Sequence, residues 1–361
     1  MKTRPGDVHH WVPQVVAVLV GVLYTLAVVA VVADPGEDPI ERSMAAEEYR
    51  QVTSLLAERG GEIVYEAYWG VGGPQVLNDT RSATKSLTAM AVGAALQDGH
   101  LRDVQQPLVS FFAQERPYRF NHPLKEAITL ADLLSMSSAL DCNDNVWESP
   151  GNEEHMYPAR RWTYFVLDLP VKEDYRRDAD GRGPFSYCTA GTFILGQIVE
   201  RATGMRIDRY MTQRLFQPLG ITNVKWDSSP SGEIQTGGGT EFSSRDLVKL
   251  GRLVLDGGVH EGNSLLSRAW IDTMLHPHVD AGGDQRYGYQ WWEKSLACAD
   301  GEVEAWLMMG NGGNKVALFE SLDLVLVATS TLYGTAGMHQ QTERLVAQYL
   351  ANYVPACRTK S

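Results

Sequence analysis

The sequence predicts an α+β fold: an antiparallel β-sheet flanked by N- and C-terminal helices, an inserted helical domain, and an apolar N-terminal helix ahead of the whole. Three observations carry this reading. Strand-like runs occur near the start (Glu62–Trp69) and again in the last third. The middle third is helix and loop. A charge-free run, Val15 to Ala33, precedes all of it. The expected division is 1–33 as a membrane anchor or signal segment, 41–85 with 235–355 as a split α/β domain, and 86–234 as a mainly helical insert.

The elements follow in chain order. Val15–Ala33 runs for about 19 residues, enough to span a bilayer as a helix. Lys2 and Arg4 precede it and Asp34, Glu37 and Asp38 follow, so the C-terminal bulk is expected on the outer face. An uncleaved anchor fits the length; a signal peptide cut after Val31-Val32-Ala33 is the competing reading. Glu41–Arg59 reads as a helix ended by Gly60-Gly61, and Glu62–Trp69 as a strand. A helix starts at Ser82 and stops near Gly99. Ile128–Met136 reads as a helix capped by Thr129. Thr189–Ala202 and Arg245–Asp256 are amphipathic helices. Tyr287–Trp292, Ala305–Met309, Val316–Phe319 and Leu324–Thr329 read as successive strands, and His339–Tyr353 as a closing helix.

Composition narrows the function. The chain has 361 residues and a net charge of −12, which argues against nucleic acid as a partner. Of 4 cysteines, Cys142, Cys188, Cys298 and Cys357, none is close enough to another for a compact zinc site. His276-Pro277-His278 lacks a third ligand, and Asp141–Asn145 has Val146 where a calcium loop needs glycine, so neither a metal nor another cofactor is expected.

Catalytic chemistry is concentrated at Ser82-Ala83-Thr84-Lys85. Residues three apart share a helix face, so hydroxyl and amine sit side by side. A lysine taken out of water gives up its proton more readily and can accept one from serine. Ala83, Leu87, Met90, Ala91 and Ala94 form an apolar stripe near Lys85, against the alternative of a solvated surface helix. Tyr187, just before a helix, is the candidate second proton carrier; its alternative is a packed aromatic. Gly310-Asn311-Gly312-Gly313-Asn314 lies at a strand boundary, where glycine lets a backbone approach a substrate. The N–H groups of Asn314 and Ser82 are expected to bind an oxyanion, the alternative being an ordinary glycine-rich turn. Trp291 and Trp292 point to opposite faces, so one edges the cleft while the other packs in the core. Cys142 and Cys188 flank segments that should meet near this site, and a disulfide between them is expected to contribute roughly 4 kcal/mol by loop-closure entropy.

Ser-x-x-Lys, then Tyr187-Cys188-Thr189, then a glycine-rich strand motif, in this order, resembles the serine β-lactamase and penicillin-binding-protein superfamily, nearest its class C β-lactamase-like esterases and amide hydrolases. Ile128–Leu140, Ile194-Leu195-Gly196, Pro218-Leu219-Gly220-Ile221-Thr222 and Ser243-Ser244-Arg245-Asp246-Leu247 fit the same family, over roughly Glu41 to Tyr353. The resemblance implies that Ser82 is acylated, that Lys85 and Tyr187 form the acid–base pair with the base left open between them, and that water releases the acyl group. Two positions depart from the family pattern. Thr189 stands where asparagine is usual, and Asn311 where a lysine or histidine often pairs with a substrate carboxylate. The expectation is therefore an extracytoplasmic serine hydrolase acting on a small-molecule ester or amide with an uncharged acyl group, held to the membrane through its N-terminal helix. A D-alanyl peptidase or β-lactamase, and a catalytically silent interaction protein, are the alternatives.

Overall fold

A computed structural model describes residues 38–298 and 301–357. The Val15–Ala33 segment, on which the membrane helix was expected, lies outside the described residues; among those described, no helix is long and apolar enough to cross a membrane.

Eight strands form one antiparallel sheet: β1 (Val52–Arg59), β2 (Glu62–Tyr68), β3 (Val279–Gly282), β4 (Gln285–Tyr287), β5 (Trp292–Cys298), β6 (Gly301–Gly310), β7 (Asn314–Phe319) and β8 (Leu324–Ser330). Their order is β2-β1-β8-β7-β6-β5-β4-β3. The first strand therefore pairs with the last, with Leu56 opposite Val327. The helices that matter to the site are α1 (Pro39–Ala45), α2 (Thr84–Gln97), α3 (Leu130–Leu134), α4 (Glu153–Met156), α5 (Trp162–Leu167), α6 (Thr189–Thr203), α7 (Ser244–Leu255) and α8 (Met338–Tyr353).

The sheet is covered on both faces. Leu56, Val316, Leu318, Val325 and Val327 join the larger apolar cluster, with residues of α2, α6 and α7. Leu55, Ala57, Ala317, Phe319, Leu326 and Ala328 join a second one with Ile40 of α1 and Leu345, Val346 and Tyr349 of α8. Alternate residues thus enter different cores, and neither face needs polar groups.

This double coverage explains the main departure from expectation. Glu41–Arg59 is not one helix: α1 ends at Ala45, and residues 52–59 form the strand β1. Val52 to Glu58 are all buried, so polar residues do not alternate with apolar ones to mark a strand. The break falls where Glu47 and Gln51 adopt φ of 59° and 55°, outside any helix. Tyr287–Trp292 is also not continuous. β4 ends at Tyr287, and the chain turns inward, with Tyr289 N–H donating to Met274 O and Gln290 N–H to Leu134 O. The turn buries Trp291 completely before β5 begins. Thr129 does cap α3, in a reciprocal box with Asp132.

α2 is held in the core at a point of close approach. A Cβ on Gly93 would lie 2.1 Å from the Trp270 indole, so the ring occupies the space of the missing side chain. Gly93→Leu is expected to lower unfolding free energy by about 2 kcal/mol through overpacking, read as a lower denaturant midpoint with an unchanged slope.

Candidate active site

Ser82 sits in a single 3₁₀ turn, Arg81–Ala83, directly ahead of α2. That turn is fixed from below. Thr80 donates both its N–H and its hydroxyl to the Thr240 carbonyl, at 3.1 and 2.7 Å. Arg81 has φ of 50° and donates its N–H to Asp79 Oδ1. The backbone of Gly310 at the end of β6 lies against the same turn, since a Cβ there would fall 2.0 Å from Thr80 O.

Lys85, in the first turn of α2, is 2 % exposed. Its Nζ donates to Ser82 Oγ at 2.9 Å and to the Gly237 carbonyl at 2.5 Å. Gly237 N–H in turn donates to Gln235 Oε1 at 2.9 Å. The Tyr187 ring centroid lies 4.9 Å from Lys85 Nζ, and the ring stacks on Trp292 at 5.9 Å. Serine, lysine and tyrosine therefore converge from α2 and from the segment leading into α6.

A cleft of about 550 Å³ opens over Ser82. Phe185, Tyr187, Trp292, Met309, Asn311 and Met338 line it, with a more polar end formed by Gln285, Lys294, His339 and Glu343. A second lobe of about 310 Å³ shares Ser82, Glu153 and Asn311 with it. Of the tryptophan pair, Trp292 edges the cleft and Trp291 is core.

The glycine-rich motif divides. Asn311 lines both lobes, its side-chain Oδ1 accepting from Gly334 N–H at 2.7 Å. Gly312 and Gly313 are buried with φ of 89° and 93°, which turns the chain into β7. Asn314 is 2 % exposed; its amide donates to Asp79 O and Asn311 O while its Oδ1 accepts from Ser330 N–H. That side chain braces the turn beneath Ser82, while the Asn314 backbone, whose N–H is the expected oxyanion donor, opens β7 opposite Gly310; of this motif, Gly310 and Asn311 line the cleft. Thr189 is likewise fully buried, at the start of α6, where its N–H donates to Asp144 Oδ2 at 2.7 Å. It lies behind the residues that line the cleft.

Cys142 is bonded to Cys188, and Cys298 to Cys357. The first bond joins the residue after Tyr187 to the loop that carries Asp144.

Asp144 is one of the acidic groups in the cleft wall that motif reading missed. One carboxylate oxygen accepts from Glu153 N–H at 3.0 Å, the other from Thr189 N–H. Burial, and then the Glu153 charge, push its pKa up to about 6, with Lys85 opposing. Only the folding of a distant loop onto α6 creates this environment, so the sequence carries no local signal for it. His339 is held down to about 3 by burial and the neighbouring Lys315, and is neutral at physiological pH. Among the described residues no group of three or more His, Cys, Asp or Glu is arranged to hold a metal ion.

A serine hydroxyl bonded to a buried lysine one helical turn on, beneath a cleft between a sheet and a helical layer, defines a serine hydrolase of the β-lactamase-like class. Comparison with known proteins agrees. The Beta-lactamase family model matches residues 38–351, and the chain belongs to that family. It is 27% identical to a 6-aminohexanoate-dimer hydrolase of Paenarthrobacter ureafaciens over 301 residues, covering 77% of this chain and 72% of that protein. It is 28% identical to a lovastatin esterase of Penicillium rubens over 263 residues, 57% of this chain and 61% of that one. Simvastatin synthase from Aspergillus terreus shares the fold with a TM-score of 0.67 at 17% identity, over 90% of this chain and 100% of the other.

The Asp144 environment gives a pH prediction. Its pKa is raised on folding, so the folded state binds the extra proton, and stability falls as pH rises from about 4 through about 6. Asp144→Asn removes that titration. Denaturant midpoints measured from pH 4 to pH 7 should show the variant gaining on the wild type across this window, by at most about 3 kcal/mol.

Proposed function

We propose that this protein hydrolyses a small-molecule ester or amide with an uncharged acyl group, through an acyl-enzyme on Ser82. The single observation that carries the reading is the 2.9 Å hydrogen bond between Lys85 Nζ and Ser82 Oγ, with the Tyr187 ring beside the same nitrogen. As Ser82 Oγ attacks the carbonyl carbon, its proton passes to the Lys85–Tyr187 pair, and either member serves as the base. The oxyanion is assigned to the backbone N–H groups of Ser82 and Asn314, a reading supported by the Gly310 backbone, which pairs with Asn314 and packs on the Ser82 turn. The pair returns the proton to the leaving oxygen or nitrogen, whose bond to the carbonyl carbon breaks as the tetrahedral intermediate collapses to the acyl-enzyme. Water then attacks the acyl carbonyl, gives its proton to the pair, and releases the acid with Ser82 restored.

The preference for an uncharged acyl group rests on the charges in the cleft. Asn311 carries none, and Lys294 is paired with Glu343 at 3.0 Å. The named relatives, an esterase and a 6-aminohexanoate-dimer hydrolase, support ester and amide chemistry over lactam chemistry.

In this reading 41–85 and 235–355 form the sheet domain and 86–234 the helical one, with the site between them. We also place the catalytic part outside the cytoplasm, with 1–33 as the exporting or anchoring segment. Two disulfides suit an oxidising compartment, and Val15–Ala33 has the length and flanking charges of such a segment.

A fluorophosphonate probe should label the wild type, and Ser82→Ala should lose both the label and roughly 10³-fold or more of the esterase rate while remaining folded. Turnover of p-nitrophenyl butyrate should exceed that of a chromogenic cephalosporin; faster acylation by the cephalosporin would overturn the substrate assignment. Protein isolated from its native host with thiols blocked should carry both disulfides, and free Cys142 and Cys188 there would remove the compartment argument.

A further inference from the structure

The polar end of the cleft holds a cation that the motifs did not announce. Lys294 on β5 lines the same cleft as Ser82, Trp292 and Glu343. Its Nζ lies 3.0 Å from Glu343 Oε2 and 3.9 Å from Asp284 Oδ2. Asp284 is 70% exposed and its charge is screened by water, whereas Lys294 and Glu343 are each 15% exposed. The other Glu343 oxygen lies 3.7 Å from Lys315 Nζ, whose side chain is wholly buried. Lys315 spends its donors on His339 Nδ1, His339 O and Thr342 Oγ1, beneath the cleft floor. A single carboxylate on α8 therefore compensates two lysines, and only one of them reaches the cleft.

We propose that Glu343 is a specificity-determining residue that closes the Lys294 end of the cleft to carboxylate-bearing substrates. The inference rests on the hydrolase reading above and deepens it. A substrate carboxylate seated on Lys294 would have to displace Glu343 or lie beside it, placing like charges together in a partly desolvated site. Asp144 and Glu153, on the helical side of the cleft, add to the repulsion. A neutral substrate meets no such penalty. Without the Glu343 charge, Lys294 becomes a largely buried ammonium that lines the same cleft as the nucleophile and lacks its nearest carboxylate, which is what carboxylate recognition requires. The residue thus excludes anionic substrates by occupying their counter-ion, and selection acts through an internal competitor rather than through a missing cation.

Glu343→Gln tests this, since it keeps the side-chain shape and one acceptor oxygen while removing the charge. Two substrate pairs separate the acyl and leaving-group sides: p-nitrophenyl hexanoate against the p-nitrophenyl monoester of adipic acid, and phenyl acetate against 3-acetoxybenzoate. The charged-to-neutral ratio of kcat/KM should rise about tenfold in at least one pair, the gain should shrink with added salt, and it should vanish in E343Q/K294M. Should E343Q not fold, Lys294→Met reads the same balance in reverse, because it leaves Glu343 facing the cleft and lowers the ratio below that of the wild type. An unchanged ratio in both pairs for folded E343Q, a gain that survives in the double variant, or a ratio that Lys294→Met leaves unchanged overturns the inference while the hydrolase reading stands. A wild type inactive on all four esters overturns both.

Discussion

The site depends on one lysine nitrogen held between two oxygens, the Ser82 hydroxyl and the Gly237 carbonyl. A lysine at 2 % exposure has little water around it, so these partners replace its solvation. Each imposes a constraint on a different part of the chain. Ser82 must occupy the turn just before α2, which the Thr80–Thr240 bonds and the Gly310 backbone enforce. Gly237 must present its carbonyl inward, which the Gln235 side chain secures through the Gly237 N–H. The middle of the chain therefore builds the catalytic pair as much as the motif does.

The same economy runs through the cleft wall. Tyr187 is fixed by stacking on Trp292 and by the disulfide at the next residue. Asp144 joins that disulfide loop to the first turn of α6 through the Thr189 N–H. Aromatic packing, a covalent bond and charge-assisted hydrogen bonds converge on a few residues, so the walls of the cleft are stiff where the chemistry occurs.

What the sequence discloses follows from how locally each feature is determined. Ser82 and Lys85 are legible because one helical turn separates them and nothing else is needed to bring them together. Tyr187 becomes legible only through the order of motifs, since its neighbourhood is made by tertiary folding. The glycine-rich turn is recognisable, but which of its side chains meet the cleft is decided by where β6 ends: Asn311 lines it, and the Asn314 side chain braces the turn beneath Ser82. Gly237, Asp144 and the Lys294–Glu343 pair leave no local trace, because their partners lie far away in sequence. β1 was hidden for the opposite reason: packing on both faces erased the alternation that identifies a strand.

The pairing of β1 with β8 reaches beyond the site. The two strands are neighbours in space but stand at opposite ends of the described chain, with Leu55 opposite Ala328 and Leu56 opposite Val327. A growing polypeptide emerging from the ribosome cannot complete this sheet until its last strand is made, and until then β1 presents an unsatisfied edge. Assembly is thereby coupled to the synthesis of β8 and dominated by long-range contacts, which favour slow folding and prolong the exposure of apolar surface and strand edges.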